Sequence, residues 1–183
     1  MPVASASALW NEKPSADEHH PNHVPYINQV PAGDIFATLG RQSGELAALV
    51  GGLSAEQWKY RYAPGKWSVL EVVGHLVDGE RIQAFRAMHV ARGDKNPIPG
   101  WEENDYMTES RFEEFQTGPA LLDQFTYLRA ANLGQLKGLP PDTAMRRGTV
   151  NNVNLTARAA VWVLAGHTQH HISILRERYG LGK

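Results

Sequence analysis

The sequence predicts an all-α protein built as a four-helix bundle. Three observations carry this prediction. Apolar residues recur at helical spacing over four long segments. Helix-start signatures precede several of them, and strand-like alternation is nearly absent. A chain of 183 residues suits one domain and can bury a proper core.

Residues 1–33 read as an extended N-terminal segment, because Pro2, Pro14, Pro21, Pro25 and Pro31 break any helix there. Residues 34–183 form the bundle domain. Its first helix starts at Asp34, a good N-cap, and buries Ile35, Leu39, Leu46, Leu49 and Val50 before Gly51 and Gly52 stop it. Ser54 to Gln57 is a capping box that predicts a short helical turn.

The second helix carries the clearest signal. Ser68 and Glu71 form another capping box, the stripe Val69, Val72, Val73, Leu76 follows, and Gly93 ends the helix after Arg92. A long crossover runs from Gly93 to Thr108, with Pro97, Pro99 and Gly100. A loop of that length in a small domain is often functional. A short helix is expected over Glu109 to Gln116. The third helix begins at Pro119, buries Leu121, Leu122, Phe125, Leu128 and Leu136, and ends at Gly138. Residues 142–153 read as irregular, with a turn at Asn151-Asn152. The fourth helix is expected from Asn154 as N-cap to Tyr179.

Composition narrows the function classes. Lys plus Arg number 18 against 19 Asp plus Glu, which argues against a basic nucleic-acid or membrane footprint. There is no cysteine, so no thiolate ligand and no cysteine nucleophile. The start MPVASASALW lacks the basic and apolar regions of a signal peptide, and the apolar run from Ala159 to Gly166 is too short to span a bilayer. The protein therefore reads as soluble and cytoplasmic. Glycine-rich dinucleotide and phosphate loops, the GxSxG elbow and HExxH are all missing.

The chemistry concentrates in the fourth helix, at His167-Thr-Gln-His170-His171. Residues four apart lie about 40° apart around a helix, stacked on one face, so His167 and His171 can reach a single metal ion. They share a meridian with Ala160, Val163, Leu164, Ile174 and Leu175, so they point into the bundle. The plain alternative is a pair of core histidines bonded to backbone or water. His170 lies about 60° off that line and reads as a supporting or exposed group. His75, at the edge of the second helix's stripe, can face the pair across a seam. Three imidazoles would leave a divalent ion with open positions, the style of a catalytic site.

Other candidates carry bland readings. Asp78 and Glu80 follow His75; Asp78 could orient an imidazole or act as a base, but a solvated flank charge is the simpler reading. Glu71 is explained by its capping box. Arg81, Arg86, Arg176 and Arg178 could meet an anionic substrate, although surface ion pairs are the default. Trp58, Trp67 and Trp162 read as core or seam, and Trp101 as a pocket wall. His19 and His23 have a ligand-like spacing, yet their proline-flanked setting favours a surface tail.

Together, Gly65-Lys-Trp67-Ser68-Val-Leu-Glu71-Val-Val-Gly-His75-Leu-Val-Asp78 and Gly166-His167-Thr-Gln-His170-His171-Ile172 resemble the DinB-like superfamily, most closely its YfiT-like, bacillithiol-transferase-like branch. The resemblance spans about residues 25–180. It implies an up-down-down-up bundle, often a homodimer, and a divalent metal held by His75, His167 and His171. It also implies thiol chemistry: related members transfer bacillithiol or mycothiol or isomerise substrates with thiol help, and others are described as metal-dependent hydrolases. The branch's Tyr-Asp pair in the crossover is replaced here by Trp101-Glu102.

The expected function is transfer of a low-molecular-weight thiol to an electrophilic small molecule at a three-histidine centre. The rivals are hydrolysis by metal-activated water, with Asp78 or Glu102 as base, and a non-catalytic dimeric bundle with a structural metal. Three imidazoles accept zinc, nickel, iron, cobalt or manganese, so the ion's identity stays open.

Overall fold

The computed structural model describes residues 8–182. Pro2 and the rest of residues 1–7, part of the expected lead-in, lie outside the described residues. Four long helices dominate: α3 (Ile35–Val50), α5 (Val69–Arg92), α8 (Gly118–Lys137) and α9 (Ala157–Glu177). The expected caps form. Asp34 accepts from the amides of Phe36 and Ala37, and Ser68 and Glu71 bond reciprocally at the start of α5. Short helices complete the chain: α1 (Ala8–Asn11), α2 (Val24–Ile27), α4 (Ala55–Trp58), α6 (Glu103–Ser110) and α7 (Phe112–Phe115).

Two apolar clusters reveal the topology. One gathers Ile35 and Leu39 of α3, Ala87 and Val90 of α5, Leu136 of α8 and Val161 and Leu164 of α9. The other gathers Leu46 and Val50, Val69 and Val73, Leu121 and Phe125, and Ile172 and Leu175. The N-terminal halves of α3 and α9 thus share a level with the C-terminal halves of α5 and α8. That is the up-down-down-up order. The first and fourth long helices run parallel, and each is antiparallel to the other two.

A polar layer divides the clusters. Arg129 of α8 is fully buried and donates to Glu80 at 2.7 Å, Thr168 at 2.9 Å, and Leu39 O at 2.7 Å. Asn132 donates to the second Glu80 oxygen at 2.9 Å. Glu80 is therefore a structural anion, not a solvated flank charge. A buried guanidinium and carboxylate are costly unless paired and hydrogen-bonded, and here Arg129 Nε alone of these groups is left without a partner.

Four expectations change. The short helix expected over Glu109 to Gln116 is broken at Arg111, whose φ of 47° is left-handed, so that α6 runs out of the crossover to Ser110 and α7 follows. The segment before residue 34 is not extended: α1, α2 and single helical turns at Ala16–Glu18 and Pro21–His23 fold it onto α9. Its apolar side chains drive this, since Trp10 and Ile27 are buried in the first cluster. Its charges follow, with Arg158 of α9 meeting Glu18 at 2.5 Å and Glu12 at 2.8 Å. Residues 142–153 are not irregular: a helical turn at Pro141–Met145 leads into an antiparallel hairpin, β1 (Arg147–Val150) and β2 (Val153–Thr156). Asn151 and Asn152 take left-handed φ of 49° and 61° at its tip, a conformation asparagine tolerates. Asn154 is thus a strand residue, and Thr156 caps α9 by accepting from the amide of Ala159. The crossover is tied to this hairpin, with Ile98 bridging Val150. No described helix is long and apolar enough to cross a membrane.

Candidate metal centre

His75 on α5 and His167 and His171 on α9 converge beside the polar layer. The helices are antiparallel here, so Gly79 opposes His167 while His75 opposes His171. The three ring centroids are separated by 4.9, 4.7 and 4.7 Å. One ligand atom from each ring lies within 4.8 Å of the others, and no other such group of His, Asp or Glu occurs among the described residues. His75 Nε2 and His167 Nε2 are 2.9 Å apart.

The rings are buried and electrically neutral. Burial pushes His75 down to about 4, with His170 adding to the effect. Burial pushes His167 to about 3, helped by His75, His170 and Arg129. It holds His171 well below the ordinary imidazole value. Neutral imidazoles keep a lone pair for an ion at neutral pH. His171 Nδ1 is buried with no hydrogen-bond partner, so one nitrogen of that ring is unsatisfied. Ligand nitrogens on a tetrahedral ion lie about 3.3 Å apart, so the His75–His167 spacing would open by only a few tenths of an ångström. The donor set fits a divalent transition metal.

Aromatic side chains enclose the rings. Trp101 stacks on His75 at 5.5 Å with planes 11° apart, and Trp67, read from the sequence as core or seam, packs at 5.0 Å and is the tryptophan that lines the cavity at His171. Tyr26, from the folded lead-in, packs 6.0 Å from His167 and 5.4 Å from His170. Tyr26 is a neighbour that sequence reasoning missed, because its segment shows no periodicity. His170 is half-buried and faces Gln29 at 3.4 Å, outside the ligand group, as expected from the wheel. A cavity of about 300 Å³ reaches His171 between Trp67, Tyr62 and Glu103.

The carboxylates sort unevenly. Glu102 caps α6, with Oε1 accepting from the amide and side chain of Asn104 at 3.2 and 3.1 Å. That commitment turns it from the rings. Glu103, which sequence reasoning passed over, places Oε2 3.8 Å from His75 Nε2. Burial and then Glu102 raise its carboxyl. Asp78 is half-buried on α5 and is also raised by burial, against Arg81. Glu71 is held by its capping box and by Arg61. The N-terminal histidines serve turns: His19 Nδ1 is 3.0 Å from His20 O, and His20 Nδ1 accepts from the amide of Asn22.

The fold has a solved counterpart. YfiT from Bacillus subtilis, described as a probable metal-dependent hydrolase with an unusual four-helix bundle topology, superposes with a TM-score of 0.70 at 19% identity. The match covers 97% of this chain and 99% of that one, and it establishes the shared fold. No curated protein matches by sequence. The DinB superfamily profile matches residues 38–175, which takes in all three histidines and most of the four long helices, and the chain belongs to that superfamily.

Proposed function

We propose that the chain is a metal-dependent enzyme in which His75, His167 and His171 hold a divalent ion. In the reading we favour, it transfers a low-molecular-weight thiol to an electrophilic small molecule. The observation that carries the proposal is the convergence of three buried, neutral imidazoles, one with an orphaned nitrogen, at the end of an open cavity. The ion would supply Lewis acidity, lowering the pKa of a small nucleophile so that it reacts at neutral pH.

The chain's own groups supply the rest. Trp101 and Trp67 fix the His75 ring and keep bulk water from it. Glu103 Oε2 sits where it can accept a proton from a nucleophile bound beside His75, and its raised pKa suits a group that takes and returns one. Asp78, half-buried three residues along α5 from His75, is the other candidate base. The absence of cysteine agrees with a thiol arriving as cosubstrate.

Hydrolysis is the second reading, favoured by the same carboxylate, since Glu103 could equally serve a water nucleophile. The test loads purified protein with zinc or nickel and assays a chromogenic electrophile with and without added thiols. Thiol-dependent turnover, lost on chelation and in His167→Ala, is expected. Turnover of esters or amides without thiol would instead assign hydrolysis. A chelated protein that loses melting temperature but never showed turnover would reduce the ion to a structural one.

A further inference from the structure

A second cavity, of about 60 Å³, lies between the β-hairpin and the α5–α9 seam. Val150, Leu155 and Val163 give it an aliphatic wall, and Arg86 and His23 supply its cationic and donor groups. No aspartate or glutamate lines it.

Arg86 is only 7% exposed. Its Nη2 donates to Pro99 O at 3.1 Å and its Nη1 to Gln83 at 3.5 Å. Its Nε is buried without any partner, and no carboxylate pairs with the guanidinium among the described residues. His23 Nδ1 is also buried without a partner. The surface ion pair expected for Arg86 does not form, because its helix face turns inward. An uncompensated buried guanidinium is costly, and guanidinium is the group best shaped to grip a carboxylate. The volume exceeds what one water needs.

We propose that this cavity is a binding site for a short-chain carboxylate, its oxygens on the Arg86 guanidinium beside His23 and its alkyl part against the aliphatic wall. Burial holds His23 at about 4, so the ring is neutral at pH 7 and free to carry its proton on Nδ1. A phosphate dianion is disfavoured, since much of its polar surface would meet valine and leucine. The site lies on the same face of α5 as Gly79, two turns further on, about 10 Å along the helix.

The test titrates metal-free full-length protein with sodium propionate at constant ionic strength, following the Arg86 Nε–H resonance and the melting temperature. A saturable shift with millimolar affinity is expected, weakened at least about tenfold in a folded Arg86→Gln variant. Equal propionate binding by His167→Ala is expected and keeps this site separate from the metal. Phosphate should give no saturable shift at the same concentrations. An unshifted wild-type resonance, undiminished binding by Arg86→Gln, or tighter binding of phosphate than of propionate would each overturn the proposal.

Discussion

Gly79 and His167 face one another so closely that a β-carbon on residue 79 would sit 2.7 Å from His167 Cε1 and 3.2 Å from Nδ1. The missing side chain is what lets this imidazole lie against α5 and reach His75. In a helix interior glycine costs about 0.5–1 kcal/mol relative to alanine, so the site is built at some expense to the helix.

Gly79→Ala therefore separates site geometry from stability. The added methyl should displace the His167 ring, and metal affinity should fall roughly 10–100-fold, as when groups that orient a ligand are lost. Helix propensity works in the opposite direction, so the far-ultraviolet circular dichroism should be retained. Isothermal titration with zinc measures the first and a melting curve the second. Affinity equal to wild type would show that His167 is not a ligand.

The two adjacent glutamates differ in what they touch. Glu103→Gln should lower kcat by roughly 10²–10⁴-fold if Glu103 is the proton acceptor beside His75. Glu102→Gln should leave kcat near wild type and cost at most about 1 kcal/mol through the weakened cap of α6. Steady-state assays of the loaded enzyme decide between them. Equal losses in both variants would locate the carboxylate effect in the helix start rather than in proton transfer.

Much of this site is legible in the residue pattern because helical periodicity is long-range and redundant. The stripe from Val69 to Leu76 places His75 at a seam, and the meridian through Val163, Leu164, Ile174 and Leu175 turns His167 and His171 inward. What is not legible depends on single contacts. Whether Glu102 or Glu103 faces the rings turns on the residue at which α6 begins, a one-residue matter inside a proline-rich loop. The hairpin has four-residue strands, too short for alternation to register. Tyr26 approaches His167 only because the lead-in folds back, its backbone passing so near Gly166 that a β-carbon there would meet Tyr26 O at 2.3 Å. Arg86 looks like a surface arginine until its face of α5 is known.

The buried pair of Arg129 and Glu80 should behave as a unit. Removing one partner leaves the other charged and unmatched, at about 3–5 kcal/mol. For a domain of this size that is a fall in melting temperature of roughly 6–20 °C. Arg129→Met and Glu80→Gln should each show it. The double variant Arg129→Met with Glu80→Met should lose much less than the sum, because no charge is stranded. Additive losses in calorimetry would mean that the pair is not coupled.

Acid should release the N-terminal segment as the Glu18 carboxyl takes up its proton. Burial alone would raise the Glu18 carboxyl, but hydrogen bonds from Arg158, Ser15 and Thr156 outweigh it and hold the group at about 2, against 4.5 unpaired. A depressed carboxyl contributes stability that is complete above the unfolded value and disappears as pH falls from about 4.5 toward 2. The histidines act earlier and with the same sign. As pH falls below 6.5 the unfolded chain takes up a proton that folded His75 refuses until about 4, so the metal-free fold weakens over that interval too. Glu18→Gln should therefore flatten the stability profile only below about pH 4.5, leaving the slope between 6.5 and 4.5 intact. Denaturant melts of metal-free protein at stepped pH measure both slopes. A lower slope unchanged by Glu18→Gln would mean that the carboxyl is not what fastens the segment to α9.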